Sequence, residues 1–245
     1  MPTESVVDLT IDSDCDSHGG PKDGRLPQAP GAIPSTIYLV VDPGITNFSY
    51  LLATSIGTRL TLTEWRTVNL GVQKQPAVTV CKAVVDYILD LCTRHDVPDT
   101  VLLETQQFGG MAMVIPHAVA TFFLTYVALN RSNNNSGNID IQHINPKTKF
   151  TMAKKIITAR AQDPAQDPAR ASSSTCMPPK QKSKYWANKK TCVDAVKLLL
   201  PDCQAFTCVA KKDDLSDCLL MLLSHLEWSA NNNNTWIIDA TRVNS

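Results

Sequence analysis

The order of the apolar runs constrains the fold of this chain more than any other feature of its sequence. Residues 37–41, 47–54 and 59–68 are β-prone runs that are separated by short turns. Residues 77–95 instead repeat their apolar side chains at helical spacing, as Val80 and Val84 do. Three consecutive strands before the first helix predict a meander within a sheet.

The rest of the chain alternates strands with helices. We predict strands at residues 99–104 and 139–145, and helices at residues 116–130, 185–200 and 211–228. A meander followed by such alternation predicts a mixed sheet with helices on its faces. The predicted fold class is therefore α/β, with a mixed five-stranded sheet and helices on both faces, and this order fits the RNase H-like fold.

The composition suggests one folded domain with additional segments. The chain has 245 residues, of which 43% are hydrophobic and 19% are charged, and this is enough for one core of ordinary size. We expect a disordered acidic tail at residues 1–35, a folded domain at 36–230 and an Asn-rich tail at 231–245. A tandem "AQDPAQDPA" and a serine run mark residues 161–183 as a low-complexity basic insert.

The sequence gives no sign of export or of a membrane span. The N-terminus lacks the basic and apolar regions of a signal peptide, and the apolar runs look too short and too interrupted to cross a bilayer. None of the eight cysteines forms a C-x-x-C pair, which argues against a structural zinc site. We therefore expect an intracellular protein without a membrane partner, in the nucleus or at a cytoplasmic replication site.

Charge is segregated along the chain although the formal net charge is zero. Residues 141–190 hold eleven Lys and Arg residues against two Asp residues. Such a segment suggests a polyanionic partner such as DNA, and a solvated Lys-rich linker is the simpler alternative. The candidate DNA-binding lysines are Lys149, Lys154, Lys155, Lys184, Lys189 and Lys190.

Five acidic residues stand where a sheet or an apolar helix does not favour them. Asp42 and Glu104 end two predicted strands, and Asp213, Asp214 and Asp217 begin the last predicted helix. Clustered carboxylates repel one another unless a cation neutralises them, and oxygen ligands suit Mg²⁺ or Mn²⁺. Two such ions in one site would support phosphodiester hydrolysis. Taken singly, the same acids could be a turn residue, a surface strand end and favourable anions at a helix start.

Three stretches that contain these acids resemble a known family. "VVDPGITNFSY", "LLETQQF" and "KKDDLSDCLLM" resemble the RuvC-type Holliday junction resolvases, most closely their poxviral and fungal mitochondrial branch. The resemblance implies that Asp42, Glu104, Asp214 and Asp217 are catalytic metal ligands, and whether Asp214 or the additional acid Asp213 binds the metal stays open. It also implies a homodimer that cuts four-way and branched DNA symmetrically with Mg²⁺, and a two-fold dimer suits a two-fold substrate.

The same resemblance implies two further functional positions. A basic residue is expected near the metals after the fifth strand, where "INPKTKF" offers Lys147, the preferred catalytic candidate, and Lys149. An aromatic residue that wedges into the junction is expected shortly after the glutamate, and Phe108 is the candidate. A nonspecific phosphate contact for the lysine and a core position for the phenylalanine are the alternatives.

The N-terminal tail contains one apolar island. Val6, Val7, Leu9 and Ile11 form a short β-prone run that is followed by acids and serines. This run could add as a strand to the sheet of a partner, and it resembles a SUMO-interacting motif. An uninvolved tail is the alternative. With the Asn runs and the tandem repeat around a poxvirus-like core, the motif suggests a large eukaryotic DNA virus as the source.

Three other functions stay open at this point. "DPGITN" also fits the D-x-G-x-T-N loop of sugar-kinase and actin-like folds, although the sequence has no second D-x-G loop for phosphate. A different RNase H-like nuclease, acting on RNA–DNA hybrids or flaps, is compatible with the same acids. A catalytically dead, SUMO-tethered DNA-binding protein is the non-enzymatic alternative, and the intact set of acids argues against it.

Overall fold

The computed structural model describes residues 34–106, 110–130, 138–161, 184–209, 211–230, 237–241 and 243. The strands are β1 (Ser35–Pro43), β2 (Phe48–Ile56), β3 (Arg59–Val68), β4 (Thr100–Glu104), β5 (Asp140–Ile144) and β6 (Ile237–Asp239). The helices are α1 (Ala77–Arg94), α2 (Met111–Asn130), α3 (Pro146–Ala161), α4 (Lys184–Leu199), α5 (Gln204–Thr207) and α6 (Lys212–Ala230).

One mixed sheet organises these elements, in the order β5-β4-β1-β2-β3-β6. The first three strands form an antiparallel meander, as their succession in the sequence predicts. β4 then pairs in parallel with β1, and β5 pairs in parallel with β4. The carboxyl ends of β1, β4 and β5 therefore meet at one edge of the sheet.

Helices cover both faces of the sheet, and this explains why β1 is a continuous apolar run. Leu39, Val40 and Val41 are all fully buried, because alternate side chains enter two different cores. One core packs α3, α4 and α6 against the sheet, and the other packs α1 and α2 against it. The predicted α/β class, with a mixed sheet and helices on both faces, is confirmed.

A buried tryptophan fixes the position of α6 against the meander. Trp65 of β3 stacks on Phe206 of α5, with ring centroids 5.3 Å apart and an interplanar angle of 9°. Its indole Nε1 donates a hydrogen bond of 3.0 Å to the backbone oxygen of Leu215, in the first turns of α6. Because a buried indole N–H needs a partner, this bond ties the start of α6 to the sheet.

The structure corrects the predicted strand count from five to six. β6 lies within the predicted Asn-rich tail and pairs in parallel with the edge strand β3. The strand is only three residues long, so its sequence carries too little periodicity to be found. The helix α3 was also missed, because its many lysines leave only a narrow apolar stripe, with Met152 and Ala153 buried.

The length of α2 is a second correction. The helix begins at Met111, five residues before the predicted start at Pro116, and residues 112–130 are long and apolar enough to span a bilayer by length and composition. The expectation that every apolar run is too short for a bilayer is therefore wrong. In this fold Ile115, Val119 and Phe123 of α2 are fully buried in the core shared with α1 and the sheet.

Candidate metal centre

The parallel pairing of β1 with β4 brings two acids side by side. Val41 lies opposite Leu103, so Asp42 and Glu104 follow at adjacent strand ends. The chain turns sharply after Asp42, where the N–H of Gly44 donates to the Asp42 backbone oxygen at 3.0 Å. A Cβ atom on Gly44 would lie 2.4 Å from the Asn47 backbone oxygen, and only glycine avoids this contact.

A third acid reaches the same point from α6. Asp217 lies in the second turn of this helix, where the Trp65–Leu215 bond holds it against the sheet. One carboxylate oxygen from each of Asp42, Glu104 and Asp217 lies within 4.8 Å of the others. The sheet edge and the helix thus converge on one group of three carboxylates, which we call the acidic triad.

The acidic triad is electrostatically strained. Burial raises the pKa of Asp42 well above its ordinary value, and the nearby carboxylates of Glu104 and Asp217 raise it further. Burial likewise raises the pKa of Asp217 to about 6, against the opposing effect of Lys149. Raised values of this kind are typical of like charges held together out of water, and they mark functional sites.

Lys149 supplies the cation that the acidic triad contacts directly. Its Nζ lies 3.1 Å from both carboxylate oxygens of Glu104 and also contacts Asp217 Oδ2. Burial alone would lower the pKa of this lysine, but the carboxylates of Asp217, Glu104 and Asp42 outweigh burial and raise it. Lys149 is therefore charged, buried and fixed on the acidic triad.

The donor set of the acidic triad fits a hard divalent cation. All three side chains offer carboxylate oxygens, which Mg²⁺ and Mn²⁺ prefer, and none offers sulfur or imidazole. One ammonium group does not balance three carboxylates, as the raised pKa values of Asp42 and Asp217 indicate. A bound cation would remove the remaining repulsion.

The two other acids of α6 lie apart from the acidic triad. Asp214 is buried in the first helical turn, and its carboxylate contacts Lys211. Asp213 contacts Lys189 of α4. Burial would raise the pKa of Asp213, but the contact with this lysine lowers that pKa below its ordinary value. The predicted set of acids is thus divided into three that converge around Lys149 and two that are paired with Lys189 and Lys211.

The acidic triad lies on the floor of an open cleft of about 680 Å³. The lysines that line the cleft are Lys147, Lys149, Lys189 and Lys211, and Asn188 and Gln106 also contribute. Lys147 is exposed at the start of α3, whereas Lys149 is buried two residues later. A cleft with acids at its base and cations on its walls can hold an anionic chain over bound metal.

The remaining predicted DNA-binding residues have different surroundings. Lys154, Lys155 and Lys190 are exposed, and Lys155 pairs with Glu227 at 2.8 Å. Lys184 begins α4, but the described part of the structure does not include its side chain. Phe108, the apolar island of the N-terminal tail and residues 162–183 of the insert lie outside the described residues.

Two solved structures resemble the fold of this chain. The yeast mitochondrial Holliday junction resolvase Ydc2 matches with a TM-score of 0.55 and 16% identity, over 81% of this chain and 82% of the resolvase. Thermus thermophilus RuvC in complex with a Holliday junction substrate matches with a TM-score of 0.50 and 14% identity, over 80% and 96% of the two chains. This chain has the RNase H-like fold.

No protein-family model and no curated protein sequence matches the chain. The RNase H-like fold is thus recognised through its strand order and its helices. The sequence identities are too low to assign a role to any individual residue. The roles of individual side chains rest on the geometry of the cleft alone.

Lys211 and Asn188 are among the cleft residues that sequence reasoning missed. Lys211 lies two residues before the first acid of α6, and its contact with Asp214 joins residues only three positions apart. A lysine three residues before an aspartate at a helix start is the sequence signal that could have predicted this contact. Asn188 had no signal, because its position depends on how α4 packs against α6.

Proposed function

We propose that this protein is a divalent-metal-dependent endonuclease that resolves four-way and branched DNA. The observation that carries the proposal is the convergence of Asp42, Glu104 and Asp217 at the base of a cleft whose walls bear lysines. Carboxylates alone would repel a phosphodiester, and lysines alone would hold it without cleaving it. The combination favours phosphodiester hydrolysis.

The residues of the cleft have different roles in the proposed reaction. Asp42, Glu104 and Asp217 would hold the cation, with Asp214 available for a second one. When bound, the cation stabilises negative charge on the phosphodiester and lowers the pKa of the attacking water. Lys149 keeps the carboxylates close to one another, and the exposed Lys147 can contact a phosphate at the rim.

Branched DNA is the substrate that the comparisons favour. The two solved neighbours are described as a Holliday junction resolvase and as RuvC bound to a Holliday junction. The exposed lysines of α3 and α4 add sequence-independent phosphate contacts beside the cleft. Structure-selective cutting needs this kind of backbone contact, because no base sequence defines a junction.

A homodimer would present two such clefts to the two equivalent strands of a junction. Support comes from α2, which carries no charged residue between Met111 and Asn130. Leu124 is 63% exposed and Leu129 is 71% exposed on this helix. Large exposed apolar side chains on a helix without charge are typical of a surface that a protein partner covers, and a second copy is the partner proposed here.

The decisive experiment compares a four-way junction, a flap, a plain duplex and an RNA–DNA hybrid as substrates with Mg²⁺ or Mn²⁺. We expect symmetric cutting of the junction, no cutting in EDTA, and loss of cutting in Asp42→Asn with junction binding largely retained. Preference for the flap or the hybrid would favour a different RNase H-like nuclease. Equal cutting of plain duplex, or full activity of Asp42→Asn, would contradict the proposal.

The N-terminal motif and the cellular setting are separate proposals. Titration of residues 1–17 with SUMO, followed by NMR, tests the motif, and Val6→Ala/Val7→Ala is the matched control. Absence of shifts would remove SUMO as a partner and, with it, the SUMO-tethered alternative. The intracellular setting, in the nucleus or at a viral replication site, and the source in a large DNA virus stay predictions.

A further inference from the structure

Asp214 has two lysines from different elements beside its carboxylate, and it is not one of the three converging acids. Lys211, just before α6, contacts Asp214 Oδ2. Lys189 of α4 contacts Asp213 and lies 3.8 Å from Asp214 Oδ1. Each oxygen of the Asp214 carboxylate therefore has an ammonium group beside it. We call Lys189 and Lys211 the lysine pair.

The lysine pair is also within reach of an anion in the cleft. Both residues line the same opening as the acidic triad, together with Lys147. The side chain of Lys211 is 43% exposed, whereas that of Asp214 is 11% exposed. The Lys211 ammonium thus lies between a buried carboxylate and the solvent from which a phosphate would arrive, and the less exposed Lys189 lies beside it.

Exchange of partners is energetically easiest at Lys211, whose side chain is 43% exposed, whereas that of Lys189 is 19% exposed. Ion pairs that water reaches contribute little to stability, because solvation of the separated charges nearly balances their attraction. A backbone phosphate offers oxygens of equal charge-assisted strength, and a lysine on a flexible stem can turn from one acceptor to the other. Such a turn would leave Asp214 without its paired cations.

We propose that the lysine pair is a phosphate-responsive latch on Asp214. Without nucleic acid, Lys189 and Lys211 hold the Asp214 carboxylate and keep it from binding a divalent cation. A phosphodiester in the cleft draws the ammonium groups away, and Asp214 becomes a ligand beside the acidic triad. The inference rests on the proposed function, because it assigns the phosphate to a nucleic-acid backbone.

The latch couples two binding events. Phosphate binding raises the affinity for the cation, and by thermodynamic linkage the cation raises the affinity for phosphate by the same factor. The site would therefore be completed mainly when substrate is present. Free protein would carry an incomplete site at Asp214.

Mn²⁺ titration of the full chain without DNA, followed by electron paramagnetic resonance, tests the latch. We expect Lys211→Met to bind Mn²⁺ at least about fivefold more tightly than the wild type, because Asp214 loses a contact that keeps it from binding the cation. Lys147→Met is the matched control, since it removes the same charge from the same cleft, and its ammonium makes no ion pair with a carboxylate among the described residues. Its affinity should change by less than about twofold, because solvent screens an exposed charge.

A double variant separates the latch from a general effect of charge. Adding Asp214→Asn to Lys211→Met should abolish the gain in Mn²⁺ affinity. A gain that survives in the double variant, or an equal gain in Lys147→Met, would overturn the latch. Because Lys211 is exposed, its replacement should leave the fold intact, and circular dichroism checks this.

The phosphate half of the latch has its own measurement. Fluorescence anisotropy of a labelled four-way junction in EDTA gives the salt dependence of binding. Loss of one phosphate contact in Lys211→Met should reduce the slope of log affinity against log salt by about 1. An unchanged slope would contradict phosphate as the competing partner. If the wild type binds Mn²⁺ and DNA but cuts no substrate, the proposed nuclease function is wrong. The Mn²⁺ affinities of the variants still decide whether the latch exists.

Discussion

The ammonium group of Lys149 lies 3.1 Å from both carboxylate oxygens of Glu104 and also contacts Asp217. This lysine is 5% exposed and is the cation closest to three clustered acids. The contact makes Lys149 a partial counter-ion of the metal-free site. It follows that stability and metal binding are linked at this residue.

Replacing Lys149 should destabilise the metal-free protein. Lys149→Met leaves buried carboxylates without their cation, and loss of one partner of a buried ion pair costs about 3 kcal/mol or more. Urea denaturation in EDTA measures the change, and excess Mn²⁺ should restore more stability to the variant than to the wild type. Lys155→Met is the control, because the exposed pair with Glu227 should contribute less than about 1 kcal/mol. Equal losses in both variants would contradict the assignment.

Neutralising Asp217 should have the opposite effect on metal-free stability. In the folded protein its pKa is raised from 3.8 to about 6, so its favourable contribution is present at low pH and is lost as pH rises through about 6. Asp217→Asn should therefore raise the free energy of unfolding in EDTA by about 1–3 kcal/mol at about pH 8, and by about half as much at about pH 5. Urea denaturation at the two pH values measures this. A destabilised variant at about pH 8 would exclude carboxylate repulsion as the dominant effect.

Glu64 lies in a second buried cluster and should respond to pH with the opposite sign. Its carboxylate accepts hydrogen bonds from Tyr50 at 2.6 Å and from Arg94 at 2.9 Å, and it contacts His95 at 2.6 Å. Burial would raise the pKa of Glu64, but these partners lower it below 4.5. Its contribution to stability is thus present above about pH 4.5 and is lost as pH falls through the lowered value. Glu64→Gln should cost about 2 kcal/mol at neutral pH and flatten the acid limb of the stability profile.

The convergence of the acidic triad follows from local signatures in the sequence, whereas the metal-binding role of these acids stays a prediction. Asp42 and Glu104 end apolar runs, and the parallel pairing of β1 with β4 follows from the order of elements. The separate state of Asp214 has no such signature, since it depends on where Lys189 and Lys211 direct their ammonium groups. Lys149 differs from Lys147 for a similar reason: the direction of each side chain is set by α3, which the sequence did not reveal.

Gly44 should control the position of Asp42. A methyl group at residue 44 would meet the Asn47 backbone oxygen at 2.4 Å, so the turn after β1 must shift. Gly44→Ala should lower the Mn²⁺ affinity at least about tenfold, because misplaced ligands lose coordination geometry. Calorimetric titration measures the affinity. Gly71→Ala is the control, since no atom lies within 4 Å of the added methyl group there, although its positive φ of 68° strains the backbone of an alanine. Similar affinities for both variants would contradict a positioning role of the turn.

The exposed face of α2 should mediate association of two copies. Leu124 and Leu129 are the large apolar side chains exposed on this uncharged helix, so burying them against a second copy removes apolar surface from water. Leu124→Glu/Leu129→Glu would bring charges into that interface and should weaken dimerisation at least about tenfold. Sedimentation-equilibrium ultracentrifugation measures the mass, and Leu198→Glu on α4, across the sheet, is the matched control. Exposed leucines tolerate this replacement, so circular dichroism should stay unchanged. A monomeric wild type, or a double variant that remains dimeric, would show that α2 does not form the proposed interface.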